Sequence, residues 1–144
     1  LYGCDRCQEV CPLNRPPGGL PAATGLPGEF IFFPARPLLL PILEMTQKEF
    51  ARTVGVTAAG WRGKSTLQRN AVIALGNSGD RAAVPALAHL LKRDPRPLIR
   101  LHTAWALGRL GGPGARQALE QQLRHETEPA VTAELRQAME PCTS

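Results

Sequence analysis

The sequence predicts a mainly α-helical protein: a metal-binding cysteine segment followed by a short solenoid of stacked helix pairs. Three observations carry that expectation. The C-terminal half repeats itself, three cysteines cluster between Cys4 and Cys11, and eight of the fourteen prolines fall between residues 12 and 41. With 43% hydrophobic and 20% charged residues, the 144-residue chain has the composition of an ordered globular protein. No run of eighteen apolar residues occurs, which excludes a membrane-spanning helix. Pro37–Leu43 is too short and too far into the chain for a signal peptide. Four cysteines are too few for a disulfide scaffold. The sequence opens on Leu1 with a dense motif from Tyr2, which reads as a chain cut at its N-terminus.

The elements follow in order. Residues 1–15 hold three of the four cysteines and read as the C-terminal part of a ferredoxin-like domain, and residues 16–45 read as a Pro/Gly-rich linker. Proline lacks an N–H and restricts its predecessor, so 12–41 is expected as loop rather than helix. Thr46-Gln-Lys-Glu49 has the spacing of a capping box, which predicts a helix from about Gln47 to Thr53. Gly55, Gly60 and Gly63 then break the pattern, with Thr53–Thr57 a possible strand. Offset by 32, Ala74-Leu75-Gly76 matches Ala106-Leu107-Gly108, Gly79 matches Gly111, Leu91 matches Leu123, and Pro97 matches Pro129. Val84, Leu87, Ala88 and Leu91 form one helical stripe, and Ile99, Ala106 and Leu110 another. Val131, Leu135, Ala138 and Met139 stripe a last helix. Helices are expected near 65–77, 81–92, 98–110, 114–124 and 130–139, a repeat domain over 46–144 that buries its faces by stacking. The small Ala and Gly residues read as close helix packing, and Trp105 as core. Asp94-Pro-Arg-Pro-Leu-Ile-Arg100 with Ala104-Trp-Ala-Leu-Gly108 resembles short HEAT-like repeats.

Charge is concentrated in the middle. Residues 48–109 carry eleven Lys or Arg against three acids, whereas residues 1–47 and 110–144 are each net acidic. Clustered cations suit a polyanion, because phosphates release counterions on binding them. Arg62, Lys64, Arg69, Arg96 and Arg100 are the candidate phosphate contacts, with a solvated helix surface as the bland alternative.

The cysteines run Cys4-x2-Cys7-x3-Cys11-Pro12. This matches the tail of the ferredoxin pattern C-x2-C-x2-C-x3-C-P, in which the last Cys serves a second cluster. Zinc would need a fourth ligand, typically a second pair, and His89, His102 and His125 read as surface or capping residues on helices. Redox thiols would want a thioredoxin-like βαβ context. Iron–sulfur is the preferred reading, with those two as alternatives and Cys142 as a bystander.

Together these segments resemble the tRNA epoxyqueuosine reductase family. Tyr2-Gly-Cys-Asp-Arg-Cys-Gln-Glu-Val-Cys-Pro-Leu-Asn14 is similar to its second cluster motif, although Leu13 stands where the family often has an aromatic. Thr46–Phe50 and Leu67-Gln-Arg-Asn-Ala-Val-Ile-Ala-Leu-Gly-Asn77 resemble its linker and first HEAT-like helix. The resemblance implies the C-terminal part of a cytoplasmic, monomeric oxidoreductase that reduces the epoxide of epoxyqueuosine at the tRNA wobble position. It further implies two 4Fe-4S clusters, to which Cys4, Cys7 and Cys11 contribute ligands, and cobalamin held mainly upstream together with the catalytic acid. The tRNA anticodon arm and an electron donor would be the partners, and the fragment alone would be inactive. Two rivals remain: another iron–sulfur or cobalamin-dependent reductase, and a non-catalytic HEAT-repeat interaction module. Gly63-Lys64-Ser65 imitates the end of a phosphate loop, but Ala58 stands where its first glycine is required.

Overall fold

Proline and glycine set the helix boundaries. The computed structural model describes residues 38–57 and 60–140; Cys4, Cys7, Cys11 and Cys142 lie outside that range. Seven α-helices occur among the described residues: α1 (Leu39–Glu44), α2 (Gln47–Arg52), α3 (Lys64–Ser78), α4 (Val84–Arg93), α5 (Pro97–Leu110), α6 (Pro113–Leu123) and α7 (Pro129–Met139). Pro97, Pro113 and Pro129 each open their helix, where the missing N–H costs nothing because no intrahelical acceptor awaits it. Gly79 and Gly111 end α3 and α5 at φ 70° and 62°, a region closed to most side chains. At the start of α2, the Thr46 hydroxyl accepts from the Glu49 amide at 3.2 Å, and Glu49 Oε2 accepts from the Thr46 amide at 2.7 Å. This is the expected capping box.

The helices form two layers. In one layer α1, α3, α5 and α7 lie side by side; in the other α4 packs on α6, and both layers meet at α5 and α7. Leu87, Leu91, Ile99, Ala106, Leu107, Leu119, Val131 and Leu135 are fully buried between them. No strand occurs among the described residues, and Thr53–Thr57 forms turns closed by the Thr57 hydroxyl donating to Val54 O at 2.7 Å.

One expectation is corrected. The segment read as loop up to residue 41 ends in α1, whose Ile42 and Leu43 are 1% and 5% exposed. Pro41 is the third residue of that helix, inside the first turn, where amides have no intrahelical partner and proline is tolerated. The packed unit therefore begins before Thr46.

The repeat glycines explain the layer spacing. A Cβ at Gly76 would stand 2.9 Å from Ala106 Cα and Cβ and from Trp105 Cζ3. One repeat later, a Cβ at Gly108 would stand 2.8 Å from Ala138 Cβ and 2.9 Å from its carbonyl oxygen. Both obstacles include backbone, which cannot swing aside. Gly114 differs: its Cβ would meet only Val84 Cγ1, at an ordinary 3.6 Å. Alanine is favoured over glycine in helices by up to about 1 kcal/mol. Gly114→Ala is therefore expected to raise Tm. Gly108→Ala is expected to lower it, with overpacking costing about 1–3 kcal/mol. Thermal melts of the two variants should shift in opposite directions.

Candidate nucleic-acid interface

A ladder of polar groups runs along the edge where the repeats join. Asp94, in the turn before α5, accepts from its own neighbour's amide, Arg96 N, at 2.9 Å. Its carboxylate is gripped by Arg96 Nε at 2.9 Å and Nη2 at 2.6 Å. Arg96 then reaches back to α3, donating to Ser65 Oγ at 2.9 Å and to Gln68 Oε1 at 2.8 Å. Gln68, only 3% exposed, passes the chain on by donating to Leu43 O at 2.9 Å, at the end of α1. The next rung repeats the design one repeat further on. Glu126, at the position equivalent to Asp94, accepts from Arg100 Nη2 at 2.7 Å and Nε at 2.8 Å, and from the Glu128 amide at 3.1 Å. Arg100 Nη1 also donates to the carbonyls of Asp94 and Pro95. Both acids thus sit ahead of a helix N-terminus, where the helix dipole favours negative charge.

The titration of these acids follows from their partners. Burial alone would raise the Asp94 pKa, but the Arg96 side-chain and backbone hydrogen bonds outweigh it and hold the carboxyl below its ordinary value. The Arg100 hydrogen bonds, foremost, bring Glu126 down to about 2.

This geometry divides the five candidate cations. Arg96 and Arg100 have most of their guanidinium donors committed inside the ladder, so they tie repeats together. Arg62 is exposed and makes no ion pair among the described residues. Lys64 opens α3 and uses one donor on Met45 O at 3.3 Å. Arg69, half-buried on α3, donates to Asn70 Oδ1 at 3.1 Å and makes no ion pair among the described residues. Arg62, Lys64 and Arg69 therefore share the N-terminal part of α3 and the turn before it.

Sequence reasoning missed Trp61. It lies in a 3-10 turn (Gly60–Arg62) and is 76% exposed, with the Arg62 guanidinium 4.2 Å from its ring centre. An exposed aromatic ring with a guanidinium over it is the arrangement that single-stranded nucleic-acid surfaces use for stacking. The available signal was a tryptophan set between Gly60 and Gly63, in a segment too short to bury it. Gly63, at φ 76°, leads from this turn into α3 with no strand among the described residues before it, so the phosphate-loop imitation finds no matching fold there. His89 and His125 are exposed as expected, and His102 is half-buried.

Glu126 supplies a pH test. Its folded pKa lies below its unfolded value, so its stabilisation is present above about pH 4.3 and is lost as pH falls towards 2. Glu126→Gln is expected to be less stable at pH 7 by about 1.5–3 kcal/mol, because Arg100 loses its charged acceptor and keeps only the Asp94 and Pro95 carbonyls. Its Tm should also fall less between pH 5 and pH 2 than that of the unsubstituted protein. Parallel Tm–pH curves would remove this role.

The model of the family described as HEAT repeats matches residues 62–140, more than half of the chain. The chain is 40% identical to the epoxyqueuosine reductase of Bacillus subtilis over 140 residues, covering 97% of this chain and 36% of that protein. It is 42% identical to the Listeria monocytogenes epoxyqueuosine reductase, covering 94% of this chain and 35% of the relative. Among solved structures, it is similar to an epoxyqueuosine reductase with an epoxyqueuosine-modified tRNA-Tyr stem loop, with a TM-score of 0.79 and 39% identity over 96% of this chain. The epoxyqueuosine reductase of Streptococcus thermophilus matches with a TM-score of 0.73 and 35% identity. The chain spans about a third of the length of these curated relatives. Its own helices and the matching model agree: the chain belongs to the HEAT-repeat family.

Proposed function

We propose that this chain is the C-terminal part of a tRNA epoxyqueuosine reductase. The parent enzyme reduces the epoxide of epoxyqueuosine at the wobble position, giving queuosine. The observation that carries this reading is the likeness over 96% of the chain to a reductase solved with a modified tRNA stem loop. Local chemistry agrees with it. Trp61, Arg62, Lys64 and Arg69 form an aromatic and cationic edge at the start of α3, suited to phosphates and an exposed base. Arg96 and Arg100 stay in the ladder, each neutralised by its acid, Asp94 or Glu126.

The helical unit would thus be the tRNA-holding part, and the cysteine segment would belong to the electron path. Cys4, Cys7 and Cys11 are soft anionic donors at ferredoxin-type spacing, a donor set that fits iron–sulfur ligation. Three thiolates cannot complete two clusters. The remaining ligands, the cobalamin contacts and the proton donor would come from the part of the relatives that this chain does not span. When bound, such clusters supply electrons one at a time, as no side chain of this chain can.

The test is binding of an epoxyqueuosine-bearing anticodon stem loop to the full enzyme. Arg62→Glu with Lys64→Glu is expected to weaken binding by about tenfold or more, and to make the salt dependence shallower by one to two contacts. Trp61→Ala should weaken binding with little change in that salt slope, by about 1–3 kcal/mol if a base stacks there. Unchanged affinity and unchanged salt dependence in both variants would overturn the assignment of this edge.

A further inference from the structure

The outward face of the α1–α3–α5–α7 layer carries a groove whose lining lies outside the basic edge. It has a volume of about 330 Å³ and is lined by Ile73 of α3, Leu101, His102 and Trp105 of α5, and Glu134 of α7. That volume lies at the lower end of the range for small-ligand pockets, ~300–1,000 Å³. The groove is a product of the repeat. Ile73 and Trp105 occupy equivalent positions of successive repeats, as do His102 and Glu134, so stacking brings them together on one face.

Its parts are arranged by chemistry. The Trp105 ring is half-buried, and its Cζ3 edge lies where a side chain at Gly76 would otherwise stand. The ring is therefore fixed by packing, and the rest of it lines the opening. Neither Glu134 nor His102 makes a side-chain hydrogen bond or ion pair among the described residues. Burial, with the nearby charge of Arg69, pushes the His102 imidazole down, which keeps it neutral at pH 7. Arg69 stands four residues before Ile73 on α3, one helical turn away on the same face, so a cation lies at the α3 side of the groove, while the α7 side ends in the Glu134 carboxyl. A fixed aromatic ring, a cation at one end and a carboxyl at the other match the three parts of a nucleotide.

We propose that this groove takes a single unstacked guanine of an RNA loop, with its ring on Trp105, its Watson–Crick edge at Glu134 and its phosphate towards Arg69. Guanine presents two adjacent donors on that edge, N1–H and the 2-amino group, and a carboxylate accepts from both. Adenine presents an acceptor beside its amino group, and uracil flanks its single N–H with carbonyls, so each sets a lone pair against the carboxylate. This inference rests on the reading of the chain as an RNA-binding unit and adds a base-reading site to it.

The test follows the two tryptophan indole N–H signals by NMR in the full chain, assigned with Trp61→Phe. Guanosine, inosine and adenosine monophosphates are titrated, followed by an RNA hairpin. The expected result is a shift of the Trp105 signal by the guanine nucleotide at about tenfold lower concentration than by the adenine nucleotide. Inosine, which lacks the 2-amino group, should fall between them. Glu134→Gln should reduce the guanine preference to under about twofold while Trp105 still responds. Equal responses to all three nucleotides, or a shift confined to Trp61, would overturn the pocket; hairpin binding in that case leaves the RNA reading standing. Failure of the hairpin to bind as well would remove both.

Discussion

The close approach of α5 to α3 and α7 governs the architecture. Gly76 meets the backbone of Ala106, and Gly108 meets the backbone of Ala138, one repeat apart. Removing a Cβ at each crossing lets two helix backbones come into direct contact. Dispersion between backbones then adds to the burial of Leu107, Leu110, Val131 and Leu135. The same contact pins Trp105 at its ring edge and brings Ile73, His102 and Glu134 to one groove. Helix spacing, core and candidate pocket are consequences of one backbone crossing, made once at Gly76 and again at Gly108.

Electrostatics separates structural cations from available ones. The turns before α5 and α7 each carry an acid that caps local amides and grips an arginine. Such buried pairs contribute little net stability against an apolar alternative, but losing one partner is costly. They fix the register of neighbouring repeats rather than driving collapse. α3 itself carries no acidic residue. Of the five candidate cations, Arg62, Lys64 and Arg69 stay outside the ladder, while Arg96 and Arg100 are held in it.

Much of the fold was legible because the sequence repeats. Helices expected at 65–77 and 98–110 occur at Lys64–Ser78 and Pro97–Leu110, since proline and glycine mark their ends in the sequence itself. The segment Leu39–Glu44 was not legible. Its prolines argue locally for a loop, and its helix is stabilised by long-range burial of Ile42 and Leu43 against α3. The site divides in the same way. The basic cluster could be counted from composition, but the commitment of Arg96 and Arg100 depends on Ser65, Gln68 and Glu126, each distant in the chain. Trp61 escaped notice because exposure is a property of the folded chain. The apolar reading of Trp105 was half of the matter, as its ring both packs on Gly76 and lines the groove.

These features give the helical unit two unlike sides. On the proposed function, the α1–α3–α5–α7 layer, entered from the start of α3, would be the side turned to RNA, and the α4–α6 layer would face away. Amide hydrogen exchange of the full enzyme, with and without the modified anticodon stem loop, distinguishes the two sides. Exchange should slow on RNA binding in residues 60–70 and in the first half of α5, with α4 and α6 unchanged. Protection confined to α4 and α6, or no change anywhere in residues 60–140 while the stem loop is bound, would refute this orientation.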